Sequence, residues 1–202
     1  ALAMGAKGLN YFNVMQGDSF ATNEDGTVDL YRNGVINVNG EPNYGEGGSK
    51  GDGGTYNYVD AVTKINHYVA EIDEVLMNAE NKGVITTDST VKGYIDGAAI
   101  TSYGAVTGVS GDDAFVGCFD YYGKDAYLVV NKSVSTSRTI TLDFGGVAQN
   151  YATTDMTLTT VTGSGTSLAL TIPAGESVLV MLDYEAEESE STDDFDTAFR
   201  FV

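Results

Sequence analysis

Between residues 58 and 81 apolar side chains recur at Tyr58, Val62, Ile65, Val69, Ile72, Leu76 and Ala79. The steps alternate between four and three, which predicts one face of a helix over 58–81. Asn81-Lys82-Gly83 then supplies a basic residue and a glycine stop. His67 falls toward the polar flank and reads as a surface or boundary residue. Residues 5–15, "GAKGLNYFNVM", show another pattern. Leu9, Tyr11, Asn13 and Met15 alternate onto one face; Asn10, Phe12 and Val14 take the other. Apolar residues on both faces predict a strand covered on both sides, as in a parallel sheet.

Residues 16–57 are polar and rich in Gly. Short strands are expected at "TVDLYR" and "GVINV", and a turn at Asn39-Gly40. Residues 84–112 read as short irregular pieces. Beyond them, strands are predicted at 114–121, 126–132, 137–144, 156–163, 167–172 and 177–184. "YGKD" (122–125) and "PAGE" (173–176) are turn signals, and "TIPAGESVLVML" reads as a hairpin. Many short strands between Gly, Asp, Asn and Ser turns indicate an antiparallel β-sandwich. Residues 185–202 hold seven acidic residues and one Arg, the pattern of a disordered end or linker. The expected division is 1–82 (strand, loop and helix), 83–103 (connector), 104–184 (β-sandwich domain) and 185–202 (acidic tail). One covered strand and one amphipathic helix are too little to fold alone, so residues 1–82 need further sheet around them.

Composition narrows the partners. The chain has 202 residues, 29 acidic against 10 basic, for a net charge of −19. Such a surface repels phosphate, so neither nucleic acid nor an anionic membrane is an expected partner. Neutral sugars remain open. The acidic balance fits an extracellular or cell-surface setting, with a cytoplasmic one left open. No run approaches a membrane span, and "ALAMGAKG" lacks the features of a signal peptide. The one cysteine, Cys118, lies in apolar "AFVGCFDYY" and reads as a small buried side chain.

Several chemistries fail on spacing. "ATNEDGTVDLYR" would put Ala21 and Arg32 at the first and last ligand positions of a calcium loop. "GEGGSKGDGG" lacks phosphate-loop spacing, and there is no GxSxG nucleophile motif. With one histidine, no metal site is expected. Carboxylates are plentiful in the loop, but sequence spacing cannot pair two of them across a glycosidic bond. Tyr11, Phe12 and Asn13, with Gln16 and Asp18 just beyond, combine aromatic, amide and carboxylate groups as sugar sites do. They read equally well as core aromatics and a turn.

"ALAMGAKGLNYFNVMQG", "GVINVNGEPN" and "TYNYVDAVTKINHYVAEIDEVLMNAENKGV" together resemble the end of a (β/α)8-barrel glycoside hydrolase. The likeness is to the β-galactosidase-like families 42 and 35. There a "GAKGxxYF"-type segment forms the last barrel strand. A polar loop with "DGxP"-type residues follows, here Asn39-Gly40-Glu41-Pro42. The last barrel helix then carries a "V..IN..I" pattern, here Val62, Ile65, Asn66 and Val69. An all-β domain commonly closes the chain with a "PGxxxLLxL"-like hairpin, to which Pro173–Leu182 is similar.

The resemblance implies an α+β fragment: the last strand–loop–helix unit of a (β/α)8 barrel followed by an antiparallel β-sandwich. It implies a retaining enzyme acting on β-linked sugars, without a cofactor. The two catalytic glutamates of such enzymes end the fourth and seventh barrel strands. Those strands would precede residue 1, so no catalytic residue is assigned in this chain, and the chain alone is expected to be inactive. The rest of the barrel would come from upstream residues or another chain. Because barrel strands open onto the active site at their C-terminal ends, Asn13, Gln16 and Asp18 become the candidate substrate-binding residues. Two alternatives stand beside this: a non-catalytic sandwich module binding carbohydrate or protein, for which Tyr121, Tyr122 and Tyr127 are candidate exposed aromatics, and a surface-structural domain.

Overall fold

The computed structural model describes residues 1–9, 18–22, 24–25, 28–32, 58–87 and 99–183. One α-helix, α1 (Tyr58–Asn78), stands among twelve strands in these residues. Strands β1 (Asp18–Thr22) and β2 (Val28–Arg32) form an antiparallel hairpin. The others are β3 (Glu80–Thr86), β4 (Ala99–Ile100), β5 (Gly108–Gly111), β6 (Ala114–Tyr121), β7 (Lys124–Asn131), β8 (Arg138–Asp143), β9 (Gln149–Asp155), β10 (Thr160–Gly165), β11 (Ser167–Ile172) and β12 (Ser177–Leu182). A seven-stranded sheet runs β10-β9-β12-β7-β6-β3-β4, and a three-stranded sheet runs β11-β8-β5. All pairings are antiparallel except the two-residue contact of β3 with β4. The fold is mixed α/β, mostly antiparallel sheet, and sandwich-like.

The large sheet is covered on both faces, which explains the apolar runs in its central strands. Along β7, Tyr127 and Val129 point toward the small sheet and join Val116, Cys118, Val178, Val180, Ile140 and Leu142 in one core. Ala126 and Leu128 point the other way and join Phe119 and Leu179 against Tyr68, Ile72 and Leu76 of α1. Period-two alternation thus feeds two cores from single strands. Each large aliphatic side chain buried this way stabilises the fold by about 1.5–3 kcal/mol.

The N-terminal segment departs from expectation. Residues 5–9 are not part of a sheet; Leu2–Met4 form a 3₁₀ turn that ends at Gly5 in the left-handed region. Residues 10–15 of the expected strand lie outside the described residues. The turn buries Ala3 between α1 and the sheet. Lys7 Nζ then donates to the carbonyls of Leu76 and Ala79 at 2.5 and 2.6 Å. These are the acceptors that a helix C-terminus leaves unpaired, and a cation is favoured there. The expected stop at Lys82-Gly83 is therefore not what ends the helix. α1 ends at Asn78, and both residues belong to β3, where the register with β6 shifts between Asn81 and Gly83.

Residues 83–86, expected in a connector, are therefore sheet. The helix face is also rotated from the predicted one. Tyr68, Ile72, Leu76 and Ala79 are buried, while Val62, Ile65 and Val69 are half-buried. The strands at 114–121 and 167–172 match β6 and β11. The strand expected at 156–163 does not form as such. Polar β9 precedes it, residues 156–159 make a turn, and β10 follows. "PAGE" does not close a hairpin: β11 pairs with β8 in the small sheet, while β12 pairs with β7 and β9 in the large one. The turn carries the chain between sheets. "TVDLYR" agrees with β2; "GVINV", the Asn39-Gly40 turn and the acidic tail (185–202) lie outside the described residues.

Candidate functional site

Of the three residues singled out for substrate binding, Asn13 and Gln16 lie outside the described residues. Asp18 opens β1, with Arg32 as its cross-strand partner.

Of the three candidate tyrosines, one is misassigned. Tyr127 is fully buried, because its position in β7 points into the core between the sheets. Its hydroxyl lies 2.8 Å from the carbonyl of Tyr103 and 3.1 Å from Asp125 Oδ2, and it accepts the Val106 N–H at 3.3 Å. Asp125 Oδ2 also accepts the Ala105 N–H at 2.7 Å. Together they pin the loop before β5. Burial, with Asp125 alongside, pushes the Tyr127 phenol far above its ordinary range. Tyr121 and Tyr122 sit at the outer end of the β6–β7 hairpin, ring centroids 4.8 Å apart and planes tilted by 59°. Tyr122 is 75% exposed. The Tyr121 hydroxyl donates to Glu74 Oε1 of α1 at 2.9 Å.

A cleft of about 170 Å³ opens where the β9–β10 turn faces the β11–β12 crossing. Val161, Leu170 and Val178 supply apolar surface; Thr153, Thr157, Thr171 and Ser177 supply hydroxyls. Asp155 organises one wall. Its Oδ1 accepts the N–H of Thr157 at 2.8 Å, the Thr157 hydroxyl at 2.6 Å and the N–H of Thr159 at 3.2 Å. Partial burial pushes the Asp155 carboxyl up, but these hydrogen bonds and nearby Lys64 outweigh it and hold it below the usual carboxylate range. Lys64 of α1 also pairs with Glu176 on the opposite wall. A second depression of about 370 Å³ adjoins it, lined by Asp60, Thr63, Lys64 and His67 of α1 and by Met156–Leu158.

The chain pattern hides the Asp155 turn because β9, "QNYATTD", has no apolar run. The available signal was Asp155 followed two residues later by Thr157, a pair that favours a side-chain-to-backbone turn.

His67 is exposed on α1, and Cys118 is buried without a disulfide partner. Among the described residues no three His, Cys, Asp or Glu side chains are grouped to hold a metal ion. No helix there is long and apolar enough to cross a membrane.

Comparison of the chain with protein-family models, with curated proteins and with solved structures finds no match. What bears on function is therefore the chemistry of these surfaces and the apolar faces left partly open.

Proposed function

We propose that this chain is the C-terminal portion of a retaining glycoside hydrolase that cleaves β-linked sugars in the manner of β-galactosidases. The observation that carries this reading is the apolar flank of α1. Tyr68, Ile72 and Leu76 are spent on the large sheet, while Val62, Ile65 and Val69 remain half-buried beside them. These three fall in the stretch that resembles a last barrel helix. A helix with one apolar flank against a β-layer and another partly open suits a position between that layer and a barrel. The β-layers then buttress the final helix, and the sugar substrate binds in a pocket to which Asn13, Gln16 and Asp18 contribute. The catalytic glutamates belong to the remainder of the barrel, supplied by upstream residues or another chain. An extracellular or cell-surface setting goes with this reading.

A chromogenic β-galactoside tests it. A longer gene product that includes this chain hydrolyses the compound with retention at the anomeric carbon, followed by proton NMR, and residues 1–202 alone do not. Turnover by residues 1–202 alone would overturn the placement of the catalytic pair.

A second reading, a non-catalytic module that binds carbohydrate, is favoured by the hydroxyl-rich cleft at Thr153, Asp155 and Thr157. It predicts glycan binding by the chain alone; a flat glycan array counts against it.

A further inference from the structure

The β6–β7 hairpin turns through two residues, Tyr122 and Gly123, since Tyr121 pairs directly with Lys124. Both have positive φ, 52° and 82°. A turn of this kind suits the right-handed twist of the strands, and Asn, Asp or Gly normally occupies its first position. Tyrosine there carries the steric cost of the left-handed region. Burial in a core does not offset that cost. Tyr122 is 75% exposed and belongs to neither core. Its ring contact is with Tyr121. Tyr121 is in turn fixed: its ring packs against the α1 core and its hydroxyl is bonded to Glu74. Asp120 Oδ1 accepts the Gly123 N–H at 2.7 Å, which holds the turn that displays Tyr122.

We infer that Tyr121 and Tyr122 form a binding platform for a neutral oligosaccharide. The two rings make an open step, one anchored and one displayed. A tyrosine face is apolar and matches the C–H face of a pyranose ring, while its rim is polar. Glu74, already aligned on the Tyr121 hydroxyl, and Asp120 lie beside the step and can accept hydrogen bonds from sugar hydroxyls. An anionic ligand is disfavoured by the net charge of −19. A cation would be better served by rings that enclose it, whereas these are tilted at 59° and open outward. A non-glycine residue held in the left-handed region at an exposed position is a pattern found at ligand sites. The platform lies on the β-layers and α1 and does not require the barrel; it shares with the proposed function only the class of ligand.

Calorimetric titration of residues 1–202 with short β-linked galacto-, gluco- and xylo-oligosaccharides tests the platform. Wild type binds at least one series, Tyr122→Phe keeps that binding, and Tyr122→Asn weakens it by at least about tenfold. Because Asn suits the turn, Tyr122→Asn also melts at a higher temperature than wild type, which separates lost binding from lost folding. The proposal is overturned if no series binds up to about 10 mM, a range that reaches well beyond millimolar affinity. It is equally overturned if Tyr122→Asn binds as wild type does, or if tetramethylammonium binds at this pair and the sugars do not. Any of these leaves hydrolysis by the longer protein, and hence the barrel reading, untouched.

Discussion

The side-chain amide of Asn131 donates to the carbonyl of Ile172 at 3.0 Å and so ties the end of β7 in the large sheet to the end of β11 in the small one. The same nitrogen reaches the carbonyls of Thr136 at 2.9 Å and Pro173 at 3.0 Å. Its Oδ1 accepts the Ser133 N–H at 2.8 Å. Asn131 is 2% exposed, so these partners replace water for the whole amide. Replacing it with Leu takes a donor from all three carbonyls, leaving Ile172 to the Ser137 hydroxyl and Pro173 to the Glu176 N–H, and takes the acceptor from the Ser133 N–H. We expect Asn131→Leu to cost about 2–4 kcal/mol, seen as a lower urea midpoint at unchanged slope. Asn131→Asp will not rescue it, because a carboxylate would face carbonyl oxygens.

Gly117 makes room for the N-terminal turn. A Cβ there would come within 2.6 Å of Ala3 Cα, closer than real side chains approach. Gly117→Ala must push the turn off β6 and should cost about 1–3 kcal/mol. Deleting residues 1–4 removes the obstacle. In that shortened background Gly117→Ala should be near neutral, a non-additivity that thermal melts of the four proteins will register.

Cys118 is fully buried, and burial pushes its thiol up to about 12, with the charge of Asp125 acting in the same sense. At pH 8 the folded protein should resist iodoacetamide, because both access and thiolate are lacking. Mass spectrometry should find full alkylation only in denaturant. Rapid modification of the native chain would contradict the packing of β6 against the small sheet.

The Asp155 turn predicts a pH effect with a definite sign. The folded carboxyl titrates below its unfolded value, so its stabilising contribution is present above about pH 4 and is lost as pH falls through the depressed folded value. The group is partly exposed and screened by solvent, so the contribution is under about 1 kcal/mol. Asp155→Ala should lower the melting temperature slightly near neutral pH, and the gap from wild type should close in acid. A gap that persists at low pH would assign the effect to packing instead.

Much of the β-layer was legible in the chain. β6, β7, β8, β11 and β12 lie where apolar runs meet Gly, Asp or Pro turns. β9 was not, because its outward side chains are Thr, Asn and Gln and only Ala152 is buried. The end of α1 was also misread, since its cap comes from Lys7, 69 residues away in sequence from Leu76. Local pattern cannot report a partner at that distance. Among the candidate site residues, Tyr122 was recognisable as an exposed aromatic beside a turn. Tyr127 was not recognisable as core, because period-two alternation gives two faces without saying that both are covered.

The sequence by itself determined that a β-rich module follows an amphipathic helix, since period and turn chemistry are local properties. It determined that Cys118 is buried, since its neighbours are apolar. Only the tertiary structure decided that "PAGE" crosses between sheets instead of closing a hairpin. Turn residues set the local bend, whereas the choice of partner strand depends on which long-range pairings bury the most apolar surface. Only the tertiary structure turned the helix onto Tyr68 and left the Val62–Ile65–Val69 flank partly open. An apolar stripe states how much surface must be covered; the position of the sheet decides which part of it is.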